Sequence, residues 1–435
     1  MEKHLAGGDC TWTGCVPSKT LLKVARVAHQ MRQANRYGIT PVEPAVDLKQ
    51  VMTHVRSVID QVYETESPEA LQAEGVDIYL GQARFVDPHT IAVGDLELTT
   101  RRVLIGTGAR PFIPPIDGID SIQSLTYETV WDLEALPQHL IVVGGGPIGC
   151  ELAQALGRLG SGVTLLESSH RLLANDEPES SELVSKSLAQ DGVDVRLNST
   201  VQQVSQLGAE IRVAAGATEI VGDKLLMAVG RRPTVAGLDL EAAGVDYWDQ
   251  GIVVNDYLRT SQRHIYAAGD CTGGFQFTHY AGFQGFMAVR NALLPGATRS
   301  VLDWVPWATF TDPEVAHVGL TEAQGRERFG DRIEVCNWPM ERVDRALCEG
   351  ETSGFIKIVH QPNGAILGVT IVNGRAGEMI HEWTIAMDQG MKLGELVNSI
   401  HIYPTYSMAS QQAALHVRVG ELLTRHLGPD NPGPG

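Results

Sequence analysis

The sequence predicts an α/β fold, and three observations predict it. The apolar run Leu140-Ile-Val-Val143 reads as a buried strand and leads straight into Gly144-x-Gly146-x-x-Gly149, after which Leu152 to Leu159 show helical periodicity. A second apolar strand follows in Gly162-Val-Thr-Leu-Leu and ends on Glu167, eighteen residues after the last glycine. A third apolar run, Leu225-Leu-Met-Ala-Val229, ends on Gly230-Arg231-Arg232-Pro233. Strand, glycine turn, helix and acid-tipped strand in this order make the Rossmann-like unit that binds a dinucleotide.

Each part of that unit has a chemical task. Glycines let the backbone approach a pyrophosphate, which rests on the N-terminus of the following helix. The turn Gly144, Gly145, Gly146, Pro147, Ile148, Gly149, Cys150 and Glu151 is therefore the predicted cofactor cradle. Glu167 can accept hydrogen bonds from a ribose 2′-hydroxyl and would repel a 2′-phosphate, so NADH is expected over NADPH. Arg171, just downstream, would blur that preference, and a merely solvated strand-end acid is the plainer reading of Glu167.

The N-terminal segment carries a different chemistry in Gly7-Gly8-Asp9-Cys10-Thr-Trp-Thr-Gly14-Cys15-Val-Pro17-Ser-Lys19. On a regular helix, residues five apart are separated by roughly 8–9 Å between Cα atoms, beyond the ~7 Å limit for a disulfide. For the two sulfurs to meet, the segment must bend, and Gly14 is the residue that permits it. Pro17, tolerated in a first helical turn, puts Cys15 at or near a helix N-terminus, where the dipole favours a thiolate. Lys19, four residues on, adds a positive charge on the same face. The alternatives are a metal site, for which only His4 and Asp9 stand nearby against the four ligands zinc usually takes, or two inert buried thiols.

Composition bounds the rest. The chain has 435 residues, 43% of them hydrophobic, enough for two to four domains with sizeable cores. With 34 basic and 52 acidic residues, a net charge of −18, it offers no electrostatic reason to bind nucleic acid or an anionic membrane. No apolar stretch reaches transmembrane length and no apolar signal core opens the chain, so the cytoplasm is the default expectation. Six scattered cysteines do not make a secreted disulfide framework.

The cysteine segment, with the motifs around it, resembles the flavin-dependent pyridine nucleotide-disulfide oxidoreductases, and the resemblance runs through nearly the whole chain. It implies a redox-active Cys10–Cys15 disulfide, with Cys15 as the thiol facing the flavin and Cys10 as the interchange thiol. It implies FAD contacts from Glu2 and Lys19, from the backbone at Gln82-Ala83-Arg84-Phe85, and from Thr107-Gly108 in Val103-Leu-Ile-Gly-Thr-Gly-Ala-Arg-Pro111. Asp270, in His264-Ile-Tyr-Ala-Ala-Gly-Asp270, would bond the ribityl chain, and Thr278-His279 would lie near the isoalloxazine. Glu151 would pair with Lys19 where hydride arrives, and Gly230 would lie beside the nicotinamide ribose.

The same resemblance implies two Rossmann-like domains and a C-terminal α+β dimerisation domain. The FAD-binding domain is expected at 1–125 and 256–300, interrupted by an NAD(P)-binding domain at 126–255. The dimerisation domain is expected at 301–425, opening with Phe310-Thr-Asp-Pro-Glu-Val315, and a disordered Pro/Gly tail at 426–435. The family also places a βαβ unit of roughly 30 residues, with its own glycine fingerprint, ahead of the cysteine motif. A chain starting at Met1-Glu2-Lys3 is thus expected to be N-terminally truncated, and a non-catalytic nucleotide-binding fragment is one reading of it.

The dimerisation domain also bears on the substrate. Family members acting on lipoamide or glutathione carry His-Pro-Thr-x-x-Glu, whose histidine crosses the dimer interface to shuttle protons. This chain has Tyr403-Pro404-Thr405-Tyr406-Ser407-Met408. A tyrosine with ordinary pKa near 10 is a poor base at neutral pH, and His401, two residues earlier, reads most simply as an exposed loop residue. Mercuric reductases share the tyrosine, which makes a mercuric-reductase-like homodimer reducing a soft metal or disulfide the leading expectation, with Cys10, Cys15 and Tyr403 catalytic. Their C-terminal vicinal cysteines are missing, since no cysteine follows Cys348. A dihydrolipoamide dehydrogenase type of dithiol reductase is the alternative.

Overall fold

Asp47 opens the helix Leu48–Tyr63 by accepting the Lys49 and Gln50 N–H groups at 3.0 and 3.4 Å. Leu48, Met52, Val55 and Ile59 then recur on one face and are buried. They pack in one core with Leu21, Ala25 and Ala28 of the helix Cys15–Arg32 and with Leu152, Ala155, Leu156 and Leu159 of the helix Pro147–Leu159. The helix behind the cysteines and the helix behind the glycine turn thus share a core, and this packing brings the two motifs together. These relations come from a computed structural model, which describes residues 1–427.

The glycine turn stands on a four-stranded parallel sheet ordered Lys224–Met227, His139–Val143, Gly162–Leu166, Val193–Arg196. Leu140–Val143 and Val163–Leu166 are buried because the sheet is covered on both faces, on one by the helix Pro147–Leu159 and on the other by an antiparallel meander. The strands of that meander are Val201–Leu207, Glu210–Ala215 and Thr218–Gly222. Elsewhere Val103–Ile105 pairs in parallel with Ile265–Ala267, across some 160 intervening residues, and Ala109–Pro111 pairs antiparallel with Arg231–Pro233. A small antiparallel sheet (Ala83–Asp87, Thr90–Val93, Leu96–Thr99) and the helix Thr278–Leu293 complete this part.

The C-terminal part is a five-stranded antiparallel sheet ordered Trp307–Thr309, Glu314–Gly319, Ile366–Asn373, Phe355–His360, Glu334–Pro339. The helices Ala376–Asp388 and Met408–Leu427 supply its apolar cover, with Trp383 fully buried and its indole N–H donating to Ser410 Oγ at 3.0 Å. Lys357, almost wholly buried, ties this part to the nucleotide unit through Glu177 (3.1 Å) and Glu179 (2.8 Å), with Glu322 at 2.8 Å beside them. The tail residues Gly428 to Gly435, expected to be disordered, lie outside the described residues. No helix among the described residues is long and apolar enough to cross a membrane.

Candidate functional site

Cys10 lies on a five-residue helix, Gly8–Trp12, and Cys15 is the first residue of Cys15–Arg32. The expected bend is present, and Gly14 is needed for closeness rather than for a left-handed φ. A Cβ there would lie 3.0 Å from Asp9 O and 3.1 Å from Cys10 Cα. So short a helix has little stability of its own, and side chains hold it. Thr11 Oγ1 donates to Glu66 Oε2 at 2.7 Å and the Trp12 indole to Ala6 O at 2.7 Å, while the Trp131 indole reaches Thr13 O at 2.9 Å.

The two thiols are polarised against each other. Cys15 is lowered to about 6, chiefly by the hydrogen bond Cys10 gives it; desolvation opposes this, and Thr278 Oγ1 at 3.4 Å and the Lys19 charge assist. Cys10 is pushed up by the same hydrogen bond and by desolvation. Of the reduced pair, Cys15 is therefore the more acidic thiol. The Lys19 charge named from the sequence contributes, and the neighbouring thiol, which spacing did not rank, contributes more.

Behind Cys15, Lys19 Nζ meets Glu151 Oε2 at 2.9 Å. Glu151 is nearly buried, and its other oxygen accepts the Phe310 N–H at 2.8 Å; Lys19 also sits 4.5 Å from the Phe310 ring centroid. The pair is therefore assembled from the cysteine helix, the glycine-turn helix and the C-terminal part. Thr278 opens the helix Thr278–Leu293, while His279 turns away to Pro306 O at 2.8 Å.

The glycine turn has the shape its task demands. Gly144 has φ +111°, a Cβ at Gly145 would lie 2.5 Å from Leu172, and one at Gly149 would overlap Gly144 O. Gly146, the residue capping the helix, faces open space, and Pro147 follows at the first helical position. Open space before unpaired first-turn N–H groups fits a pyrophosphate. Ile148 packs against the adjoining core, and the buried Cys150 thiol donates to Gly145 O at 3.3 Å.

Glu167 is no solvated strand-end acid. Its carboxylate accepts Gly145 N–H at 2.6 Å and Ser169 N–H at 2.7 Å; burial raises its pKa, but those bonds hold it below the usual range. Arg171 donates to Ala174 O at 2.6 Å instead of turning to Glu167. Gly230, with φ +123°, also faces open space.

The residues expected at the flavin fall into two groups. Asp270 is buried, its carboxyl raised by desolvation, and it pairs with Arg231 at 2.6 Å; Gly108 has φ +66° and Thr107 Oγ1 donates to Thr234 O at 2.7 Å. In the second group, Glu2 forms a parallel bridge with Leu80 and its carboxylate accepts the His4 N–H at 3.0 Å, while Ala83 begins its strand. A buried carboxylate beside positive-φ glycine turns fits a polyhydroxyl chain and close backbone approach.

Tyr403 is not brought to the cysteines within one chain. It is exposed, and its hydroxyl donates to Asp344 Oδ2 at 2.9 Å, which raises its pKa. His401 is not the exposed residue expected, since its ring nitrogen meets Glu382 at 2.9 Å with the side chain 10% exposed. Sequence reasoning overlooked the anchors Thr11, Trp12 and Trp131 and the roles of Phe310 and Arg231. A tryptophan between two cysteines in a short polar segment was a usable signal; the Arg231 contacts, all long-range, left none.

Known proteins supply the context. Residues 2–285 match the pyridine nucleotide-disulphide oxidoreductase family and residues 305–414 its dimerisation domain. The mercuric reductase of Lysinibacillus sphaericus is 36% identical over 422 residues, covering 95% of this chain and 77% of that protein. The dihydrolipoyl dehydrogenase of Thermus scotoductus is 34% identical over 443 residues, covering 98% and 93%. Among solved structures, the HOCl-induced flavoprotein disulfide reductase RclA from Escherichia coli superposes with TM-score 0.85 at 29% identity, covering 94% and 91%, and it has also been solved as a Cu(II) complex. The chain belongs to the pyridine nucleotide-disulphide oxidoreductase family, α/β flavoenzymes that use FAD and NAD(P)H.

Proposed function

We propose that this protein carries two electrons from NADH through the Cys10–Cys15 pair to a soft-metal or disulfide acceptor, in the manner of a mercuric reductase. The observation that carries this reading is the polarised pair itself, with Cys15 the more acidic thiol, backed by Lys19–Glu151. Bound FAD supplies the two-electron relay between nicotinamide and thiols. Gly144 to Gly149 hold the dinucleotide, Glu167 takes its ribose and Gly230 leaves room beside it. Glu2, Lys19, Ala83, Thr107, Gly108, Asp270 and Thr278 hold the flavin. Residues 1–125 with 256–300 form the FAD-binding domain, 126–255 the NAD(P)-binding domain and 301–425 the dimerisation domain of a cytoplasmic homodimer.

The acceptor follows from Tyr403. Bonded to Asp344, its hydroxyl keeps its proton at neutral pH, so it cannot replace an imidazole base in dithiol exchange. Two thiols favour soft metals, and Hg²⁺ needs only the electron pair: NADH and Hg²⁺ yield NAD⁺, H⁺ and Hg⁰. The Cu(II) complex of the related RclA supports a metal acceptor. The test is NADH oxidation by FAD-reconstituted protein with Hg²⁺, Cu²⁺ or lipoamide, repeated with NADPH. A metal should outperform lipoamide at least about tenfold, and NADH should outperform NADPH; 1.4 kcal/mol, one tenfold step, is within reach of a Glu167 bond. Faster turnover with lipoamide would favour the dihydrolipoamide dehydrogenase type instead.

A further inference from the structure

Asp9, immediately before Cys10, meets the guanidinium of Arg231. Arg231 stands on Arg231–Pro233, the strand that pairs with Ala109–Pro111 and follows Gly230. Its guanidinium is committed on its other sides, to Asp270 Oδ2 at 2.6 Å and to Tyr127 Oη at 3.1 Å, with the Tyr127 ring centroid 5.2 Å away. The Arg231 side chain is 16% exposed and that of Asp9 is 41% exposed. A planar fork already fixed by two partners loses little freedom on taking a third.

We propose that Arg231 is a positioning residue for the redox pair, strapping the Cys10 turn through Asp9 to the strand beside Gly230. The short helix Gly8–Trp12 needs such help. Thr11 and Trp12 secure it from the side of Glu66 and Ala6, and Trp131 holds only the Thr13 carbonyl beyond its end. Asp9 supplies the remaining constraint, one residue from the sulfur whose distance to Cys15 sets how readily the disulfide forms. The inference rests on the proposed role of Cys10 and Cys15. Cutting the strap should let Cys10 wander, lower the effective concentration of the two thiols and make the disulfide easier to reduce.

The test is the midpoint potential of the pair in the full chain, equilibrated at one pH in glutathione buffers and quantified by alkylation and mass spectrometry. The exchange balances: the two thiols and oxidised glutathione give the disulfide and two reduced glutathiones. Arg231→Met should lower the effective concentration roughly tenfold, a shift of about 30 mV toward easier reduction, and Asp9→Ala should shift it the same way. Arg231→Lys should recover at least half of the shift, and Asp9→Ala with Arg231→Met should move it no further than the larger single change. Should Arg231→Met fail to fold, Asp9→Ala and the milder Asp9→Asn decide alone, since that carboxylate is exposed. A wild-type disulfide with both variants at the wild-type potential overturns the strap. So does a shift in Arg231→Met without one in Asp9→Ala, which would place the effect at Asp270 or Tyr127. If wild-type protein forms no Cys10–Cys15 disulfide in any buffer, the proposed function falls, and the strap with it.

Discussion

Cys15 and Cys150 stand in the first turns of two helices packed against each other, each a few residues after a glycine-rich turn, and they end up chemically opposite. Cys15 is exposed and lowered to about 6, held there by Cys10, Thr278 and Lys19. Cys150 is fully buried, donates to Gly145 O, and is pushed far up by burial with Glu151 and Glu167 adding to it. A helix N-terminus is therefore insufficient to activate a thiol. The difference lies in a neighbouring donor and cation on one side, and in buried surroundings with nearby carboxylates on the other. Glu151 acts at both ends: its charge raises Cys150 and Cys15 alike, while it anchors the Lys19 that helps lower Cys15.

Activity gives the comparison its hardest test. Cys15→Ser and Cys10→Ser should each cut acceptor reduction by more than about a thousandfold, as removal of a nucleophile does, whereas Cys150→Ala should stay within about twofold. Steady-state NADH oxidation measures all three, and a Cys150→Ala loss on the scale of the other two would end the distinction.

Lys19→Met probes the shared group. It leaves the nearly buried Glu151 carboxylate with only the Phe310 N–H, and should cost about 2–3 kcal/mol of stability, toward the low end for a broken buried pair because Lys19 is partly exposed. Glu151→Gln with Lys19→Met should restore part of it, as read by denaturant unfolding. Additive losses would mean that the two side chains are not energetically coupled.

A pH window sharpens the comparison further. Between about 6 and 9 the folded Cys15 has lost a proton that the unfolded thiol still holds, so the stability of the reduced protein should rise with pH across that range. The contribution is complete above the ordinary thiol value near 9 and is lost as pH falls through 6. Cys10 and Cys150 act with the opposite sign, keeping above 9 protons that the unfolded chain releases, so stability should then decline. Urea midpoints of the reduced protein at pH 6, 7.5 and 9 should show the rise, and Cys15→Ser should flatten it. An equal slope in the variant would assign the rise to other groups.

Much of this molecule is legible in its sequence. The strands His139–Val143 and Gly162–Leu166, with the intervening glycine turn and helix, follow from apolar runs and glycine spacing, which are local properties that the backbone geometry of a βαβ unit imposes directly. The bend between Cys10 and Cys15 follows equally from helix dimensions and Gly14. What spacing could not supply was partnership. Glu167 was legible as an acid at the glycine turn, but not its bonds to the Gly145 and Ser169 N–H groups, and His401, expected to be exposed, meets Glu382. Tyr403 was placed by its motif, but its bond to Asp344 spans 59 residues. Sequence by itself determined the fold class, the glycine turn and the bend between the two cysteines, because each is written in residues that are neighbours along the chain. Only the tertiary structure decided that Phe310 shares Glu151 with Lys19, what Glu167 accepts and where Arg231 reaches. Ionisation and side-chain position depend on groups brought within a few ångströms by packing, and no local pattern encodes those distances.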